Sequence, residues 1–301
     1  MATYMKTEEG YKETTDLLDG RIGGKMDKDN PVGTGSFSMG RKAGSLVGNK
    51  SHAEGNDTTA SGVSSHAEGV YTTASGSQSH AEGKSTTALG NNSHAEGYYT
   101  TASGNYSHAE GFSTTALGVN SHAEGNSTNK FSSIVTTTNP TNADIITAWK
   151  SNKFSLSKGS SSHVEGKDNL ALGNYSHAEG SATIASGNYS HAEGYKTTAS
   201  GSSQHVQGKF NIDDTTSTYA DIIGNGTSDT ARSNAATVDW NGVPWFQGRP
   251  QFGGTAQDQN SQTVMANGDK EIILKSSTPD STKKFKITVD DTGTIFATEV
   301  L

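Results

Sequence analysis

The chain has no cysteine, so neither disulfides nor a thiolate metal site hold it together. It is also poor in large apolar side chains. Ala, Val, Ile, Leu, Met, Phe, Trp, Tyr and Cys together make up 30% of its 301 residues, against roughly 45–50% with glycine included in an ordinary globular domain. No thick core can be filled from such a pool. No stretch approaches the ~18 consecutive apolar residues of a membrane-spanning helix, so no membrane insertion is expected. The formal net charge is −8 and no run of Lys or Arg is long, which speaks against a nucleic-acid partner. The opening MATYMKTEEGYKE lacks a basic stretch followed by an apolar one, so no secretory signal is expected either. What fills the chain is Ser, Thr, Ala, Asn and 36 glycines. Such a bias normally signals disorder, but here it is strictly periodic.

Self-similarity decides the fold class. All 10 histidines belong to one motif. They are His52, His66, His80, His94, His108 and His122, then His163, His177, His191 and His205, with a step of 14 residues inside each set. Two places after each histidine stands Glu54, Glu68, Glu82, Glu96, Glu110, Glu124, Glu165, Glu179, Glu193 or, in the last unit, Gln207. The unit reads S-H-A-E-G-x-x-T-T-A-S/L-G-x-x, as in Ser65-His66-Ala67-Glu68-Gly69 and Thr72-Thr73-Ala74-Ser75-Gly76. Departures are few: Val164 and Val206 for Ala, Asn169-Leu170 for Thr-Thr, and Gln204 for Ser.

A pair of helices needs about 33 residues or more per repeat, and two glycines per unit would cost a helix ~2 kcal/mol. Two short strands with two tight turns fit instead. Because strands alternate faces, Ser65, Ala67 and Gly69 share one side and His66 and Glu68 the other. Thr72, Ala74 and Gly76 likewise form a small-residue face, opposed by Thr73 and Ser75. Apposing the small faces gives a thin all-β coil, and stacking coils at ~4.8 Å gives a parallel β-roll, a quasi-one-dimensional solenoid. So thin an interior contributes little by burial, and association is the expected remedy.

The unit resembles the head repeat of YadA-like trimeric autotransporter adhesins, of the form S-V-A-I-G-x-x-A-x-A-x-G. The resemblance covers roughly residues 36–208. It implies a left-handed parallel β-roll assembled as a homotrimer, with the positions of His66 and Glu68 facing the trimer interior. In place of the family's Val and Ile this chain has His and Glu, so the expected seam is a polar ladder running over all the His, Glu and Gln positions named above. Lys25-Met26-Asp27-Lys28, Gly33 to Gly40, the segment from Ile223 to Gly242, and Lys284 to Asp291 resemble tail proteins of phages and prophages of Gram-positive bacteria.

Three regions are expected: an attachment segment over 1–35, the roll over 36–208, and a β-rich C-terminal domain over 209–301. Glu8 to Asp19 reads as a short helix ended by Gly20. The 41-residue step from His122 to His163 carries 27 residues beyond one unit, placing an insert at about 127–161. Its stretch Asn142 to Lys153 has Ile145, Ile146 and Trp149 at roughly helical spacing. After Gly208, turns are expected at Asn241-Gly242, Asn267-Gly268 and Asp291-Thr292-Gly293. Ile272-Ile273-Leu274 reads as a strand buried on both faces, and Trp240, Trp245 and Phe246 as part of a small core shared across three chains.

Ser, His and Glu in every unit imitate a catalytic triad, but neighbours on a strand face opposite ways and cannot exchange a proton. Stacked glutamates imitate a glycosidase pair, yet equivalent carboxylates offer no distinct acid and nucleophile. Paired threonines imitate an ice-binding face, but being adjacent, only one of each pair points outward. Three imidazoles per level across a trimer could hold an axial metal or anion; a ladder of His–Glu hydrogen bonds, each His served by the Glu two residues on, is the simpler expectation. No enzyme activity, metal or cofactor is therefore expected. Phe131, Trp149, Tyr98 and Tyr99 are candidate receptor contacts. The expected function is structural and host-attaching: a phage tail fibre or receptor-binding protein, assembled in the host cytoplasm into the virion, with other tail proteins and a host cell-surface glycan or protein as partners. The alternatives are a bacterial surface adhesin and a polysaccharide-degrading tailspike.

Overall fold

A computed structural model describes residues 4–7, 10–13, 36–131, 140–247, 265–267, 271–275, 283–289 and 292–300. The periodic part is a β-solenoid of about 13 turns. Each coil contributes a His–Ala strand to one parallel sheet and a Thr–Ala strand to a second. The register runs unit on unit, as in His66 on His80 with Ala67 on Ala81, and Thr101 on Thr115 with Ala102 on Ala116. The small faces meet as expected: Ala67 and Ala74 are fully buried, Ser65 and Thr72 nearly or fully so.

Backbone hydrogen bonds between coils, such as His94 N to Ser107 O at 2.9 Å and Thr101 N to Thr114 O at 3.0 Å, replace the absent large side chains as the main cohesive element. Each coil turns twice through a non-glycine residue in the left-handed region, for example Asn92 at φ 56° and Tyr99 at φ 60°, conformations that cost about 1–2 kcal/mol apiece. Serine offsets part of this by closing one turn: Ser93 Oγ donates to Gly90 O at 2.7 Å. Glycine is obligatory where coils touch. Gly97 sits at φ +99°, and a Cβ there would lie 2.3 Å from Gly111 O.

The stack starts at Phe37–Arg41, which pairs with His52–Ala60, and its last parallel strand is Tyr219–Asn225, laid on His205–Lys209. Tyr219–Asn225 then pairs antiparallel with Asn234–Asp239, and that strand with Pro244–Phe246. A separate antiparallel sheet joins Met265–Asn267, Glu271–Lys275, Lys284–Val289 and Ile295–Val300 in order. The expected turns at Asn241-Gly242 and Gly293 are present, with φ of 79° and 84° at the glycines. The burial of Ile272-Ile273-Leu274 lies outside the described side chains.

One expectation is corrected. Gly10–Glu13 is a strand paired antiparallel with Tyr4–Thr7, not the middle of a helix, and positions 14–19 lie outside the described residues. Trp240, Trp245 and Phe246, expected in a core shared across three chains, stand about half exposed on the single chain.

The insert leaves the roll within a single coil. Phe112 bridges Asn126, while Thr115 pairs with Leu156, so residues 128–154 are the added length. The expected helix is α1, Asn142–Ser151, started by a capping box between Thr141 and Asp144. Ile145 and Trp149 face inward with Phe131, Phe154, Leu156, Leu170, Leu172 and Ile184. The drift from Thr-Thr to Asn169-Leu170 is thereby explained, since Leu170 occupies an outward position that α1 covers.

Candidate functional site

The His–Ala strands present their His and Glu side chains outward in two parallel columns because Ala and Ser fill the inward places. Coil-on-coil register stacks the imidazoles: His80 to His94, His94 to His108 and His108 to His122 are each 4.8 Å apart between ring centroids and within 1° of parallel. The side chains are about one-third exposed along the column, for example 34% for both His108 and Glu96. A continuous polar strip thus runs along one face of the single chain.

The hydrogen bonding differs from the expected pairing. Most imidazoles reach the glutamate of the preceding coil, not the one two residues on. His108 Nε2 lies 3.1 Å from Glu96 Oε1, His122 Nε2 3.2 Å from Glu110 Oε1, and His191 Nε2 3.0 Å from Glu179 Oε1. The looser pairs His80–Glu68, His94–Glu82, His163–Glu124 and His205–Glu193 follow the same rule. His52 and His66 depart from the rule: His66 Nε2 lies 4.0 Å from Glu68 Oε2 of its own coil. For His52, the preceding coil places Met39 beside Glu54 in register, so no glutamate lies behind, and His52 Nε2 turns to Glu54 Oε2 at 3.3 Å. At the other end His205 Nδ1 meets Asp221 Oδ1 at 3.3 Å, and Gln207 pairs in register with Ile223, which has no side-chain acceptor.

The ladder breaks at His177. Glu165 and Glu179 hydrogen-bond to each other, which raises the Glu179 carboxyl and lowers that of Glu165. His177 Nε2 is left buried without a hydrogen bond among the described residues. Burial first, then the neighbouring His163 and His191, bring His177 down to about 4.

These arrangements limit the chemistry. Ser65 Oγ is turned inward and donates to Gly62 O at 2.8 Å, so no serine activates beside a histidine. Trios such as His94, Glu96 and His108 bring ligand atoms within 4.8 Å of one another. Parallel stacked rings, however, direct their nitrogen lone pairs side by side, and a metal at ~2.1 Å needs them convergent. Within one chain the strip fits mutual hydrogen bonding better than a metal centre.

The four candidate receptor contacts divide. Tyr99 is exposed and Tyr98 half-buried, with rings 4.2 Å apart and Phe112 next to Tyr98 at 5.3 Å. Phe131 and Trp149 are buried, only 7% and 5% exposed, so they brace the insert and offer no receptor surface. Trp149 Nε1 also donates to Asp168 O at 2.9 Å. Sequence reasoning missed Asp168, whose two oxygens take the backbone N and Oγ1 of Thr128, each at 2.6 Å, and so anchor the insert. Its sequence signal is weak, since the same corner holds Asp57, Tyr71, Ser85, Ala182 or Lys196 in other coils.

Among curated proteins none matches the chain. The model of the YadA head domain repeat does match, over residues 47–79, 81–107 and 109–128. YadA-like head domains belong to adhesins and are generally non-enzymatic. The match falls on the coils before the insert, which carry the first part of the strip just described.

Proposed function

We propose that the chain is a non-enzymatic attachment protein of a phage tail that works as a homotrimer, with the His–Glu strip of each copy forming the central seam. The observation that carries this reading is the strip itself. Identical His and Glu side chains recur through coil after coil at a constant 4.7–4.8 Å from His66 to His191, apart from the slightly tilted last step. A merely solvated face has no need of a single repeated pair, whereas a face packed on copies of itself does. The exposed Trp240, Trp245 and Phe246 at the end of the roll supply an apolar patch of the kind that marks an interface. The match to head repeats of adhesin type supports the trimer and the attachment role. The phage setting is supported by the likeness of the flanking segments to tail proteins.

The ladder then acts as a register device, the best-attested use of buried polar groups. Replacing His94 by Val and Glu96 by Ile together removes one polar level and inserts apolar groups of similar reach. The trimer should persist in size-exclusion chromatography with light scattering. Conversion of that double variant to monomer would refute an inward strip. Attachment is tested by incubating purified protein with host envelope. Retention without release of soluble saccharide is expected, and saccharide release would show a degrading enzyme instead.

A further inference from the structure

The corner where the insert meets the terminal hairpin carries an excess of cations in an otherwise acidic chain. Lys153 Nζ lies 3.0 Å from the centroid of the Trp149 ring and makes no hydrogen bond or ion pair among the described residues. Lys196 and Arg232 both approach the Phe210 ring, at 5.2 and 5.9 Å. They divide one carboxylate between them: Lys196 Nζ to Asp229 Oδ2 at 2.6 Å and Arg232 to Asp229 Oδ1 at 3.0 Å. The cations are mostly covered, with side chains 25% and 28% exposed, while Asp229 is 59% exposed on the turn closed by Ser228 and Ala231. The other nearby carboxylate, Asp168, is committed to Thr128. Three cations thus face one available, solvent-exposed anion. Burial and then repulsion by Lys196 hold Lys153 down to about 8, which is the response of an ammonium lacking its counter-ion.

The geometry points to a binding site for an oxyanion, the phosphate or carboxylate of a charged surface saccharide, held by Lys153, Lys196 and Arg232 with Asp229 as its internal stand-in. A planar carboxylate already bridges the lysine and the guanidinium, so the donors are arranged for two oxygens of one group. An arriving anion displaces the exposed Asp229 and gains Lys153, which Asp229 leaves without an ion pair. The site names a ligand class for the proposed attachment role, but it lies within a single chain and does not depend on the trimer. A monomeric protein that binds the anion would sink the seam and spare this site.

The test is isothermal titration of the full chain with inorganic phosphate and, separately, with galacturonate, at fixed ionic strength. Asp229→Asn removes the internal competitor and should tighten binding about tenfold, the equivalent of one charge-assisted hydrogen bond. Lys153→Met should weaken it by a similar factor. At pH 8, binding to the unaltered chain should take up protons, measured by repeating the titration in buffers of different ionisation heat, and Lys153→Met should abolish that uptake. A response to phosphate alone identifies a phosphate-bearing polymer, to galacturonate alone a uronate, and to both a site that reads charge. No binding of either anion to the chain or to Asp229→Asn, or tightening that Asp229→Asn fails to produce, would overturn the proposal. Thermal melts of both variants check that the fold is intact.

Discussion

The coils before the insert and those directly after it obey the same 14-residue rule but are stabilised differently. From Ala53 to Ala123 the buried apolar interior is alanine alone, and cohesion rests on coil-to-coil backbone hydrogen bonds. From Leu156 to Ile184 the inside keeps small residues, with Ser157 and Val164 at alanine positions, while Leu and Ile appear on the outside of the Thr–Ala sheet under Phe131, Ile145, Trp149 and Phe154. The difference teaches that in a repeat protein the exceptions mark where something sits. Thr115, Leu156, Leu170, Ile184 and Thr198 occupy successive register positions, and the three apolar members are those beneath the insert. By the same logic, the recurring His and Glu of the other sheet support the proposed seam between copies.

Removing the brace should have the largest effect. Phe154 is fully buried, and Phe154→Ala should cost about 3–5 kcal/mol, seen in urea unfolding, with hydrogen exchange rising in the coils from Leu156 to Ile184 and little change from His52 to Ala109. Uniform loss along the roll would show that the two regions are not separately stabilised.

Overfilling the alanine column comes next. Ala102→Val, in the column of Ala88 and Ala116, should cost about 1–3 kcal/mol. Ala178→Val should cost less, because its column already accepts Val164, its neighbour in register, and Val206. Equal losses in thermal unfolding would mean that both sheets are packed with the same tolerance.

Exchanging the outward residues sharpens the contrast further. Leu170→Thr should destabilise by about 1–2 kcal/mol because it removes apolar contact under α1. Thr87→Leu, the reverse change on an uncovered coil, should stay within about 0.5 kcal/mol.

At neutral pH the smallest effect belongs to His177, whose contribution shows only in acid. The unfolded chain protonates position 177 near 6.5, whereas the folded chain holds it down to about 4. The unfolded state therefore binds more protons between those values, and stability falls as pH drops from about 6.5 to about 4, with no further loss from this group below. His177→Gln should flatten that part of the stability curve while leaving the neutral-pH melt almost unchanged. An unaltered slope would mean that His177 titrates freely.

The roll was legible because its information is periodic. Alternation of small and polar residues around His66 placed each face correctly, and the length of the insert followed from subtraction. Less was legible where the structure breaks period. Nothing in the spacing shows that His108 prefers Glu96 to Glu110, because that choice depends on the stagger between stacked coils. Aromatic character alone could not separate Phe131 and Trp149, which are buried, from Tyr99, which is not. Gly10–Glu13 formed a strand despite a composition compatible with helix, because its pairing with Tyr4–Thr7 is a tertiary fact. The cationic corner joins residues from three separated stretches and left no trace in the linear pattern.

Sedimentation equilibrium of the full chain tests the central claim most directly, since the His–Glu strip has meaning as a seam only if copies meet along it. The account predicts a single species of three times the 31.4 kDa chain, unchanged on dilution through the micromolar range. A species of one chain mass at those concentrations would contradict it.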